Sequence, residues 1–232
     1  MPHFPAAMRF HAQLVVWFFA LCFSAGVVFA DDNDVAVAIV YDTSGSMNDT
    51  VKSKTGASEA KYVIANRALD AIVARLEKFA ASGSRKVQTG LFIFRDKGSQ
   101  EVVKIAPFDA AALRNWLVGF SRPTGGTPLG TAVADATTAL SRIKAGSRHV
   151  LVVTDGENTI GPAPDKVLPG LLDDAIKKSA PVYFHFVAFD VDAKAFAGVK
   201  KLGATLVSAA DEKQLNDKLA FILEEKILLE KE

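Results

Sequence analysis

VAVAIVYDTSGSM, residues Val35 to Met47, is the stretch that decides the fold class. Val35 to Val40 is an unbroken apolar run, the pattern of a strand buried on both faces, and one carboxylate and two hydroxyls follow it at once: Asp42, Ser44 and Ser46. Alternate side chains of an extended segment point the same way, so these oxygen groups can converge at the strand's carboxyl end. Such ligands suit Mg²⁺, Mn²⁺ or Ca²⁺ and suit soft metals poorly, and three of them do not complete an octahedron.

Two later stretches offer more. Thr127 lies in the glycine-rich turn TGGTPLG, and Asp155 follows a second apolar run in HVLVVTDGE. In an open parallel sheet, ligands collect beyond the carboxyl ends of the strands, where these loops meet if both runs are neighbouring central strands. The three-part pattern of Asp42-Thr43-Ser44-Gly45-Ser46, Thr127, and Asp155 with Gly156 resembles the metal-ion-dependent adhesion site of von Willebrand factor type A domains. The resemblance runs from Asp34 to the C-terminus. It implies that Ser44, Ser46 and Thr127 offer hydroxyl oxygens to a metal, and that Asp42 and Asp155 bind it directly or through water. It also implies an open coordination position that a carboxylate from a partner protein fills, with Mg²⁺ the expected metal and Mn²⁺ or Ca²⁺ the alternatives.

The rest of the chain reads as strands alternating with helices. Strands are expected at Val87 to Phe94, Glu101 to Ile105, Val150 to Thr154, Val182 to Phe189 and Thr205 to Ser208. Helical periodicity covers Glu59 to Phe79 with Ser58 as N-cap, Asp109 to Val118, Leu129 to Ile143 with Thr127 as N-cap, Leu171 to Ser179, and Asp211 to Leu229, and a helical turn is expected at Asp192 to Gly198. Asn48 to Ser58 and Gly156 to Pro169 read as loops bordering the crevice. This pattern predicts an α/β fold, a three-layer α/β/α sandwich whose mostly parallel sheet of about six strands has one antiparallel edge strand from the hairpin around Arg95 to Ser99. It is the Rossmann-like fold that the resemblance implies.

The first thirty residues stand apart. Arg9 is the only formal charge before Asp31, Leu14 to Phe23 is almost wholly apolar, and Ala30 precedes an acidic start, so residues 1–30 read as a secretory signal peptide cut after Ala30. The alternative is a membrane anchor formed by the 17 residues Leu14 to Ala30, at the short end for a spanning helix. With cleavage, residues 31–232 form one type A domain, periplasmic or secreted and free of the membrane. Cleavage removes Arg9 and the only cysteine, Cys22, so 27 basic residues become 26 against 26 acidic ones. Neutrality gives no long-range attraction to nucleic acid.

Enzyme chemistry finds little support. No cysteine remains to act as a nucleophile, and neither a G-x-S-x-G elbow nor a G-x-x-x-x-G-K-[ST] phosphate loop occurs. A metal-dependent phosphatase of the haloacid-dehalogenase type would need a second aspartate two residues after Asp42, where Ser44 stands. His149 and His185, without metal-like spacing, read as structural. The expected function is therefore non-catalytic: an exported domain that binds a partner protein presenting Asp or Glu through a metal. The alternative is a structural subunit of an envelope assembly in which the metal only orders loops. Asp49, Glu157 and Asn158 are further rim candidates.

Overall fold

A computed structural model describes residues 33–229 except 54 and 96, together with Met1. The signal-peptide reading of residues 1–30, with Cys22 and the cut after Ala30, falls outside the described residues apart from Met1. Among the described residues no helix is long and apolar enough to cross a membrane.

Six strands form the main sheet: β1 (Val35–Tyr41), β4 (Val87–Arg95), β5 (Gly98–Pro107), β6 (Ser147–Thr154), β7 (Val182–Phe189) and β8 (Thr205–Ala209). Their order is β5-β4-β1-β6-β7-β8, parallel throughout except for β5, which pairs antiparallel with β4 at one edge. The expected fold class is the observed one. β1 is central, paired with β4 on one side and β6 on the other, and every one of its residues is buried.

The period-two alternation of β1 assigns its side chains to two cores. Val35, Val37, Ile39 and Tyr41 face α1 (Lys61–Ala81), α2 (Ala110–Gly119) and α6 (Glu212–Phe221). Ala36, Ala38 and Val40 face α3 (Leu129–Leu140), α4 (Pro164–Lys177) and α5 (Ala197–Lys201). The small residues of the second set meet Ala132 and Ala136 of α3, so that helix can lie close to the sheet. Its N-terminus is equally tight: a Cβ built on Gly130 would stand 2.0 Å from the Pro162 carbonyl oxygen. Gly130→Ala is expected to cost roughly 1–3 kcal/mol, read as a lower urea midpoint. An unchanged midpoint would mean that the loop ahead of α4 gives way freely.

The sequence reading errs at several ends. Asn48 to Ser58 is not a loop throughout but carries a small hairpin, β2 (Thr50–Lys52) with β3 (Ser58–Ala60), whose three-residue strands are too short for the alternation around the buried Val51 to reveal them. Ser58 belongs to β3, so α1 starts at Lys61 behind Ala60, which supplies no side-chain cap. Thr127 is not the N-cap of α3: Pro128 holds that position, and the Thr127 N–H is taken by the Thr159 hydroxyl instead. The predicted loop to Pro169 is shorter, because α4 opens with Pro164 at its first turn and runs through Pro169. The last helix passes into a π-helical stretch at Ile222–Leu228, burying Ile222, Leu223 and Ile227 as the amphipathic pattern requires.

Candidate metal and partner-binding site

Three strands adjacent in the sheet, β1, β6 and β7, each run directly into an aspartate: Asp42, Asp155 and Asp190. Asp42 keeps the sheet register, its N–H donating to the Val153 carbonyl at 3.0 Å. Its side chain is fixed at both oxygens. Oδ1 accepts from the Ser44 N–H at 2.8 Å, and Oδ2 from the Thr154 hydroxyl at 2.6 Å. The chain then turns through a short 3-10 segment, Gly45–Asn48, which sets the Ser44 and Ser46 hydroxyls 3.1 Å apart. Ser46 Oγ donates to Asp155 Oδ1 at 2.8 Å.

Thr127 comes to the same place from the opposite loop. A Cβ built on Gly156 would lie 3.7 Å from Ser46 Oγ and 3.8 Å from Thr127 Oγ1, so both hydroxyls flank that glycine. The five residues named from the sequence are thus gathered at one point, with Asp42, Ser44, Thr127 and Asp155 all buried. A Cβ at position 156 would make ordinary van der Waals contact with both hydroxyls.

The loops are tied to one another. Gly45 N–H donates to the Gly125 carbonyl at 2.9 Å, Thr124 N–H to the Thr43 carbonyl at 2.9 Å, and Asn48 Nδ2 to the carbonyls of Gly45 and Pro123. Gly125 has φ +82°, a left-handed backbone that glycine adopts freely. On the other side, Thr159 and Ile160 N–H both donate to the Thr127 carbonyl. Asn158 closes the arrangement, accepting from Gly130 N–H at 3.0 Å and donating to the carbonyls of Ile160 and Gly161. Its role is to hold the loop. The exposed Asp49 and Glu157 carboxylates make no hydrogen bond to the five residues among the described contacts.

Sequence reasoning missed the residue with the strongest electrostatic claim on the site. Lys61, in the first turn of α1, places Nζ 3.1 Å from Asp155 Oδ2 and 3.0 Å from Asp190 Oδ2, with its side chain 7% exposed and that of Asp155 0%. Burial opposes the ammonium, but the hydrogen bonds to Asp190 and Asp155 outweigh it and raise the Lys61 pKa. Asp42 has no such partner among the described residues. Burial, and after it the nearby Asp155 charge, push its carboxyl up to about 6, against the hydrogen bonds from Ser44 and Thr154.

This donor set fits a hard divalent cation. Among the described residues no three of His, Cys, Asp and Glu gather at one point, so an ion held here would depend on the hydroxyl oxygens beside the two carboxylates. Two carboxylates with three hydroxyls are the oxygen donors that Mg²⁺, Mn²⁺ or Ca²⁺ takes. The unmatched charge of Asp42 is what such an ion would neutralise.

His149 and His185 lie far from this crevice on β6 and β7, as a stacked pair with Nδ1 of His149 3.1 Å from Nε2 of His185. They are buried, and their place in the core is structural.

A model of the von Willebrand factor type A domain family matches residues 37–157. Among curated proteins, the uncharacterized protein YwmD of Bacillus subtilis strain 168 is 29% identical over 140 residues, which is 56% of this chain and 59% of that protein. Among solved structures, the PilB minor pilin of Streptococcus sanguinis gives a TM-score of 0.62 at 16% identity, over 83% of this chain and 61% of that one. The vWF domain of the type V pili tip protein Mfa5 from Porphyromonas gingivalis gives 0.60 at 14% identity, over 84% and 96%. At these identities the structural likeness is one of fold. The chain spans about three-fifths of the length of YwmD and of PilB.

Proposed function

From the premise that the chain belongs to the von Willebrand factor type A domain family, we propose that it is an exported, non-catalytic binding domain. A divalent cation held by Asp42, Ser44, Ser46, Thr127 and Asp155, Mg²⁺ ahead of Mn²⁺ or Ca²⁺, receives an Asp or Glu side chain of a partner protein. The observation that carries this reading is the convergence of two carboxylates and three hydroxyls from three separate loops at the sheet's carboxyl edge. When bound, the ion supplies a fixed positive pole that the hydroxyls neutralise little. The chain's own groups do the positioning: Asp42 orients Ser44 through its N–H, and Asp155 orients the Ser46 hydroxyl.

The pilus proteins among the structural neighbours are consistent with a role in protein–protein contact outside the cytoplasm. A phosphatase role is disfavoured, because Ser44 stands where that chemistry needs a second aspartate two residues after Asp42.

The test is thermal unfolding of residues 31–232 in EDTA, Mg²⁺, Mn²⁺ and Ca²⁺, beside the Asp42→Ala/Ser44→Ala double variant. A cation at a hundredfold excess over its dissociation constant stabilises the parent by about 2.7 kcal/mol, a rise of roughly 5–10 °C. The double variant is expected to show no such rise. Equal shifts in both proteins, or none in either, would remove the metal from this site.

A further inference from the structure

Beside Asp42 the surface opens into a groove of about 530 Å³ between β4, β5 and α2. Thr43, Thr124 and Gly125, which tie the metal-site loops together, also line it. One wall is aromatic: Trp116 and Phe120 stack with centroids 5.0 Å apart and planes 16° from parallel. Both rings meet Tyr41 edge-on, at 5.7 and 6.1 Å, and Tyr41 is the fully buried residue that precedes Asp42. Its hydroxyl is held by Asn66 at 2.7 Å. The wall is therefore fixed to the strand that carries the first carboxylate of the site.

The groove is cationic. Arg95 and Arg122 line it, both exposed, and no described lining residue is acidic. Arg95 spends only Nε, on the neutral Gln100 amide at 3.0 Å, and Arg122 forms no ion pair among the described residues. Three other surface arginines are matched, Arg67 with Glu59 and Glu212, Arg75 with Glu224, and Arg114 with Asp70 and Glu77, whereas the exposed Arg142 also forms no ion pair among the described residues. Two guanidinium groups without an ion pair among the described residues share this lining with a stacked indole and phenyl ring, a surface complementary to a carboxylate beside an aromatic ring.

We propose that this groove binds an acidic segment of a partner protein that also carries an aromatic side chain. The ring packs on Trp116 and Phe120, and its acidic neighbours pair with Arg95 and Arg122. That the same segment places a further carboxylate on the cation rests on the function proposed above, whereas the groove contacts do not need it.

The probe is a random copolymer of glutamate and tyrosine, with polyglutamate and polylysine as controls. Trp116 is the only tryptophan after Trp17, so in the protein cut after Ala30 its emission reports on the groove alone. The copolymer is expected to bind in Mn²⁺ with a change in Trp116 emission, polyglutamate at least tenfold more weakly, and polylysine not at all. Arg95→Glu/Arg122→Glu, at two exposed positions, should weaken the copolymer at least tenfold in Mn²⁺ and in EDTA alike. Binding that needs Mn²⁺ but ignores the arginine variant and leaves Trp116 unchanged overturns the groove and leaves the metal site standing. Binding that is lost in the variant yet indifferent to EDTA supports the groove and removes the metal from partner recognition. Equal affinity for polyglutamate overturns the aromatic half, and no binding of the copolymer overturns the whole.

Discussion

Lys61→Met should lower the stability of the domain in EDTA by about 3–5 kcal/mol, and a divalent cation should return part of that loss. Lys61 Nζ is the only cation paired with Asp155 among the described residues, at 3.1 Å, and the Asp155 side chain is fully buried. Removing one partner of a buried pair leaves the other charge without water or counter-charge, and here it would also face Asp42. Methionine keeps the length of the stem, so the lost term is the charge. The second arm of Lys61 counts for less, because the Asp190 side chain is 41% exposed and solvent screens it. Asp190→Asn is accordingly expected to cost under about 1 kcal/mol. The check is urea unfolding of parent and both variants, in EDTA and in Mn²⁺. The gain from Mn²⁺ should be larger in Lys61→Met than in the parent, since the ion then supplies the only positive charge between the two carboxylates. Equal midpoints for parent and Lys61→Met in EDTA would mean that Asp155 is hydrated or protonated without the lysine, and that the pair stabilises nothing.

Lys61 also marks where the sequence stopped being legible. The positions that gather at the crevice were readable because each sits at a punctuated end of an apolar run, where a strand or a glycine turn announces it. Asp190 obeys that same rule, following VYFHFVAF as Asp155 follows VLVVT, and the rule applied a third time would have found it. Lys61 gave a weaker sign: a lysine in the first turn of a helix opposes the macrodipole and so calls for a nearby anion. Which anion depends on α1 packing over the ends of β6 and β7, a contact between residues 94 and 129 positions apart that no local pattern encodes. Thr154 was hidden for another reason. As the last residue of an apolar strand it reads as a β-former, and only the pairing of β1 with β6 sets its hydroxyl on Asp42. The hairpin of β2 and β3 buries only Val51 in strands of three residues each, too short a run for hydrophobic periodicity to detect.

Acidification should destabilise the domain through a different buried pair. Nδ1 of His149 meets Nε2 of His185 at 3.1 Å, and Nε2 of His149 meets the Ser147 hydroxyl at 3.0 Å. Nδ1 of His185 is buried without a hydrogen-bond partner among the described residues. The tautomers that leave no ring N–H unpaired have His185 Nε2–H donating to His149 and His149 Nε2–H donating to Ser147, so His185 Nδ1 carries a lone pair and no proton. Protonating it would bury an N–H with no acceptor. Burial, and secondarily the Lys226 charge, lower the His185 pKa from 6.5 to about 4, and burial with the neighbouring His185 lowers that of His149 to about 3. The sign follows from proton counting. Below pH 6.5 the unfolded chain takes up protons that the folded chain refuses, so stability falls as pH falls, and the loss levels off only near the folded values. Between pH 7 and 5 it should reach about 2 kcal/mol for each histidine that stays neutral. Asp42, whose folded value is raised, works in the opposite direction over the same range, so the comparison is made against His185→Gln in otherwise identical protein. That variant is expected to start less stable at pH 7 and to lose about 2 kcal/mol less on going to pH 5, measured by urea unfolding at each pH. If the two proteins lose stability in parallel, His185 titrates normally in the folded state and the buried pair is not what senses acid.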